Sequence, residues 1–219
     1  MKILCVSDYI DPLVYSSSIK ERFGSVDMVL GAGDLPLDYL DFIVSSLNKP
    51  VFFVFGNHNL EHFSRYIGKR TINAARFDSE ASIYYGIGAV FLGGKIKKED
   101  GLLLAGLGGS MLYNNGKNQW TEFGMTCRIL RLVPVLLFNK LIHGRYLDIL
   151  LTHASPAGIH DKPDLCHKGF KCFLRFMRFF RPKYLVHGHI HLYDAAETRC
   201  TKYCDTLVVN AYSHYIIED

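Results

Sequence analysis

The chain has 219 residues, 49% apolar and 21% charged, a globular composition that excludes a disordered or fibrous protein. Its 25 basic and 21 acidic residues leave a formal net charge of +4, too mild to mark a nucleic-acid protein by itself. No apolar run reaches the roughly 20 residues that a spanning helix needs. The run Ile3–Val6 has no small-residue cleavage site after it, and the six cysteines show no CxxC pair, so the expectation is a reduced, cytoplasmic protein.

In chain order, residues 2–7 form a short apolar run that predicts a buried strand, and residues 18–23 predict a short helix. Residues 26–30 predict a second strand, ended by Gly31-Ala32-Gly33-Asp34. Tyr39, Leu40, Ile43, Val44 and Leu47 share one face of a helix over 37–47, stopped by Pro50. Residues 51–55 predict a third strand, ended by Gly56-Asn57-His58. Strands alternating with helices imply a parallel sheet with crossover helices. The middle has another texture: nine glycines fall between Gly86 and Gly116, and strands near 89–92 and 102–107 are expected to pair as a hairpin around the charged turn 95–100. Gly106-Leu107-Gly108-Gly109 resembles a phosphate loop only faintly, since it follows a hairpin strand and no clear helix opens after it, and a sharp strand-end turn is the favoured reading. Helices are expected over 126–141 and 169–180, with strands at 147–152, 184–187 and 207–210. With no linker or repeat, the expectation is a single α/β domain over 1–219.

The polar residues have a pattern of their own. Asp8 follows the first strand, Asp34 the second, Asn57 and His58 the third; His153 follows the strand at 147–152, and His187, His189 and His191 follow the apolar part of the next strand, 184–186. Ligands of open α/β sheets bind outside the carboxyl ends of the strands, so five strands deliver Asp, Asn and His to one edge. Any one of these residues alone would read as a turn or cap. Together, imidazole nitrogens and carboxylate oxygens suit zinc, manganese or iron, with enough donors for two ions. Two cations about 3.5–4 Å apart clamp a phosphoryl group and provide hydroxide at neutral pH.

With these residues in order, the sequence resembles the calcineurin-like metallophosphoesterase superfamily, whose series is D-x-H, G-D, G-N-H-[D/E], H and G-H-x-H. Here it stands as Asp8-Tyr9-Ile10, Gly33-Asp34, Gly56-Asn57-His58-Asn59, Thr152-His153 and Gly188-His189-Ile190-His191. The resemblance implies a four-layer α/β/β/α sandwich with mixed sheets and two divalent ions (Mn, Fe or Zn). By the family's roles Asp34 would bridge both ions, Asp8 and His191 would hold the first, and Asn57, His153 and His189 the second. His58 would not ligate; it would face the leaving-group oxygen as general acid. The implied activity is hydrolysis of a phosphomonoester or phosphodiester by attack of a metal-bound hydroxide. Two departures stand out. Ile10 replaces the first motif's His, which leaves the first site weak or empty unless Asp11 or a water fills it. Asn59 replaces the acidic residue after His58. The loss at Ile10 also favours an alternative, a catalytically silent scaffold used for protein binding.

Two further segments carry both a plain and a functional reading. The loop with Gly158, Ile159, His160, Asp161, Asp164, His167 and Lys168 leaves the His153 strand and reads as solvated loop or substrate contact. On the helix 169–180, Phe170, Phe173, Leu174, Met177 and Phe180 share a face, with Lys171, Arg175 and Arg178 opposite. Phe176 and Phe179 widen the apolar arc, so the helix reads as a core helix with a solvated basic stripe, or as one touching a membrane surface, an acidic substrate or a partner. The stretch 129–142 adds a little to the membrane reading. The expected partner is a phosphate-ester substrate, with no stable nucleic-acid partner.

Overall fold

The computed structural model describes residues 1–67, 88–194 and 196–218. The first part of the chain forms β1 (Lys2–Ser7), α1 (Ile19–Phe23), β2 (Met28–Gly31), α2 (Leu37–Leu47), β3 (Val51–Phe53), α3 (Phe63–Ile67) and β4 (Val90–Phe91). Next come β5 (Ile96–Glu99), β6 (Leu102–Leu107), β7 (Ser110–Met111), β8 (Gln119–Trp120) and α4 (Glu122–His143). The rest forms β9 (Ile149–Thr152), α5 (Lys171–Phe180), β10 (Tyr184–His187), β11 (Cys200–Tyr203), β12 (Thr206–Asn210) and β13 (Ser213–Glu218).

Two mixed sheets result. One has the order β13-β1-β2-β3-β4, parallel except for β13; the other has the order β11-β12-β10-β9-β6-β5, parallel except at its two edges. The central strands are buried at nearly every position and mostly apolar because both faces are covered, and successive side chains point opposite ways. Along β1, Ile3 and Cys5 face the other sheet, whereas Leu4 and Val6 face α1 and α2. Along β9, Ile149 and Leu151 point into the space between the sheets and Leu150 points to α4 and α5. Three cores therefore separate four layers, helices outside and sheets inside. Thr121 caps α4, its Oγ1 accepting from the Gly124 N–H at 3.0 Å, and the helix ends at left-handed Gly144. Among the described residues no helix is long and apolar enough to cross a membrane.

The expected hairpin is corrected in its partners. β4 pairs in parallel with β3 in the first sheet, and the charged segment expected as a turn is itself β5, antiparallel to β6. The chain steps from one sheet to the other at Gly93-Gly94, where the Gly94 N–H donates to the Gly106 carbonyl at 2.8 Å. Gly108 is packed so closely on the Phe55 carbonyl that a side chain would strike it, which accounts for the glycine run as close packing at a strand end. Gly86, the first of the nine glycines, lies outside the described residues. Phe176 is fully packed in the α5 core, so the apolar arc on that helix is narrower than its sequence implies; Phe179 remains exposed.

Candidate metal centre

The sites at the strand ends come together across the two sheets. Asp34, His153 and His189 each place a ligand atom within 4.8 Å of the others. His153 is buried; its Nδ1–H donates to the Ala32 carbonyl at 2.8 Å, which leaves the Nε2 lone pair facing inward. Nε2 lies 3.3 Å from Asp34 Oδ2 and 3.2 Å from Asn57 Oδ1. On the far side, Nε2 of His189 meets the Cys166 carbonyl at 2.7 Å, so its Nδ1 carries the free lone pair.

Converging electron-rich atoms in a buried space need a positive charge among them. Burial alone would lower the pKa of His153, but the charge and hydrogen bond of Asp34 overcome it and raise the value to about 9. Burial would raise Asp34, and the charge of His153 with its hydrogen bond instead lowers it to about 2. His189 is pushed down to about 4 by burial and then by the charge of His153. Without an ion the centre thus holds a proton where a divalent cation would fit, and its O and N donors are of the type such ions take.

Asp8 and His191 stand beside this group. Oδ1 of Asp8 lies 3.7 Å from His191 Nε2, while Oδ2 accepts from the His189 backbone N–H at 2.8 Å and from the Ser7 hydroxyl. The His191 ring stacks on Tyr212, with centroids 4.7 Å apart. Asp8, Asp34 and His189 all take left-handed backbone (φ 64°, 55° and 67°), a conformation that turns each side chain back over its strand end and costs energy for non-glycine residues. The motif glycines are needed for close approach: a side chain at Gly56 would strike Asp34 and His153, and one at Gly188 would strike Ser7 and Asp8.

His58 is exposed at the rim, and its backbone N–H donates to Asp34 Oδ1 at 2.7 Å. Asn59, in place of an acidic residue, donates from Nδ2 to the Asp34 carbonyl at 2.9 Å and so braces the turn. Ile10 is partly exposed, and Asp11 does not turn toward the centre. Its carboxylate accepts from the Leu13 N–H at 2.8 Å, from His214 Nδ1 at 2.5 Å and from the Ser213 hydroxyl. The suggestion that Asp11 stands in for the missing histidine is therefore corrected: its carboxylate is committed to β13.

His187, the last residue of β10, is a buried support. Its Nδ1–H donates to the Gly188 carbonyl, and its Nε2 lies 2.9 Å from His160 Nδ1; His160 Nε2 in turn lies 2.8 Å from the Thr201 hydroxyl. Burial and then the neighbouring His160 push its pKa to about 3, so it stays neutral. Two contacts have no sequence signal, because they come from single residues in irregular loops. The Tyr113 hydroxyl accepts from Asn57 Nδ2 at 3.3 Å, and Cys166 supplies the carbonyl that fixes His189. The loop after His153 thus closes over the centre, with the His167 ring centroid 5.3 Å from that of His189. Asp164, Cys166 and His167 form a further group of potential ligands on this rim.

The sequence matches the family profile of the calcineurin-like phosphoesterases over residues 1–193. The chain belongs to this family. A search of curated proteins finds no match. Among solved structures, the crystal structure of TT1561 of Thermus thermophilus is similar at a TM-score of 0.62 and 13% identity, covering 97% of this chain and 89% of that one. Another crystal structure reaches a TM-score of 0.65 at 13% identity, covering 99% of this chain and 94% of its own. Identity this low shows a shared fold alone. Membership of the calcineurin-like family places the chain among metal-dependent phosphoesterases, whose substrates are phosphate esters.

Proposed function

We propose that the protein hydrolyses a phosphomonoester or phosphodiester at the centre between the two sheets. The observation that carries this reading is the convergence of Asp34 Oδ2, Asn57 Oδ1 and His153 Nε2, joined by His189. Asp34, Asn57, His153 and His189 would hold one divalent ion, and Asp8, Asp34 and His191 a second. When bound, such ions neutralise the ester's charge and activate water as the nucleophile. His58 projects from the rim without a ligand's burial, where its ring can give a proton to the departing oxygen. Its backbone N–H on Asp34 keeps the acid in register with the ligand turn. Asn57 is anchored through its Nδ2, which donates to the Tyr113 hydroxyl, so its carbonyl oxygen stays directed inward.

The purified protein, screened with added manganese against a panel of phosphate esters, is expected to turn over at least one class. His58→Ala should cut the rate by about 10²–10⁴-fold, most for poor leaving groups, with metal content unchanged. Loss of metal in step with activity would make His58 a ligand. A second reading, a silent scaffold for protein binding, is favoured by one observation: Ile10 offers no donor and Asp11 is turned away. Absence of turnover across the panel in metal-replete protein would select it.

A further inference from the structure

We propose that the outer face of α4 and α5 docks peripherally on an anionic lipid bilayer. α4 is apolar on both sides. Its inner side, with Met125, Ile129, Leu132 and Leu136, is buried on the second sheet. At 100° per residue Phe123, Leu130, Leu137 and Leu141 line the opposite side, with Phe138 and Ile142 beside them. These side chains are strongly exposed, Phe123 at 78%, Phe138 at 61% and Leu141 at 81%. A helix apolar all round is normally covered by something, and a contiguous exposed apolar strip of this kind marks an interaction surface.

The charges beside the strip say what covers it. α5 packs next to α4 on the same sheet and presents Lys171, Arg175 and Arg178 to solvent, with Phe179 exposed at their edge. Arg131 and Lys140 flank the α4 strip on its two sides. The two helices contain a single carboxylate, Glu122, and its oxygens accept the backbone N–H groups of Lys171 and Cys172 at 3.1 and 2.5 Å. The outer face that these two helices present is thus apolar and cationic, and among their described residues no free acidic group balances it. An isologous contact with a second copy would set these cations against each other. A bilayer surface carrying anionic headgroups satisfies both features: the apolar side chains enter the headgroup boundary, and the basic stems reach the phosphates.

The full chain is to be sedimented with vesicles of phosphatidylcholine alone and with vesicles containing about one-third phosphatidylglycerol. Each basic residue at an anionic surface contributes roughly fivefold in affinity, so binding to the anionic vesicles should be at least about tenfold tighter and weaken with salt. Leu137→Glu with Leu141→Glu, and separately Arg175→Glu with Arg178→Glu, should each lose about tenfold or more. Both pairs change exposed side chains, and an unchanged melting temperature checks that each variant is folded. Three results would overturn the proposal: folded wild-type protein that ignores anionic vesicles, binding that survives in both double variants, or a solution dimer without vesicle binding that Leu137→Glu with Leu141→Glu dissolves. Capture by polyglutamate without any binding to vesicles would assign the face to an acidic protein instead.

Discussion

His153 gives its Nδ1–H to the Ala32 carbonyl and turns Nε2 toward Asp34 and Asn57, so one hydrogen bond on the backbone fixes which nitrogen is available. The proton that Nε2 holds in the metal-free protein has a measurable consequence. The raised pKa of His153, about 9 against an ordinary value near 6.5, means that the folded state binds an extra proton between these values. This stabilisation is complete below the ordinary value and is lost as pH rises through about 9. His189 runs the other way: its pKa of about 4 costs stability as pH falls from the ordinary value toward 4. In chelator, the melting temperature should therefore peak near the ordinary histidine pKa, and His153→Ala should flatten the alkaline limb and, by removing the charge that helps to hold His189 down, soften the acid limb as well. An alkaline limb unchanged in that variant would mean that the charge resides elsewhere. With metal present, His153→Ala and His189→Ala should each weaken binding by about 10–100-fold or more, read by titration of the chelator-stripped protein.

Among the elements, β1, α2, β6 and β10 are legible from sequence because each has an apolar pattern that its own neighbours explain. β5 is not, since Lys97, Lys98 and Glu99 read as a charged turn; it becomes a strand only by pairing with β6. β13 is equally silent, because its partner β1 lies at the other end of the chain. The same distance hides Asp11, whose partner Ser213 is 202 residues away. The ligand turns, in contrast, follow strands directly, and local order is enough to find them. Asp11→Ala should strip β13 of a buried acceptor and cost about 1–3 kcal/mol, seen as a lower urea midpoint, while metal affinity stays within twofold or so. A large loss of metal affinity without loss of stability would return Asp11 to the ligand set. Ile10→His, at a partly exposed position, is the variant expected to tighten the first site.

At the scale of the whole molecule, the ligands are divided between the layers. Asp8, Asp34 and Asn57 come from the turns of the first sheet, and His153, His189 and His191 from those of the second. An ion held by both would tie the sheets together at their common edge. Binding only to the folded state stabilises it by mass action, about 2.7 kcal/mol at a hundredfold excess over Kd. The melting temperature should rise steadily with added manganese, and His153→Ala should abolish most of the rise. A melting temperature indifferent to manganese, zinc and iron would argue that the centre holds no ion.

The return of the chain to its starting sheet has a consequence for how the protein is made. β13 crosses back from β12 after Ala211 and closes the edge of β1, and Arg199 secures the crossing by donating to the carbonyls of Asn210, Tyr212 and His214 at 2.9–3.3 Å. During translation, β1–β3 emerge early, yet the outer edge of β1 has no partner until residues 213–218 have left the ribosome. Over that whole interval the nascent chain carries an open apolar strand edge, the kind of template on which other chains pair. Synthesis is therefore the stage at which this edge stands open longest. Nascent chains stalled before β13 should stay protease-sensitive in their first sheet, and those stalled beyond it should not.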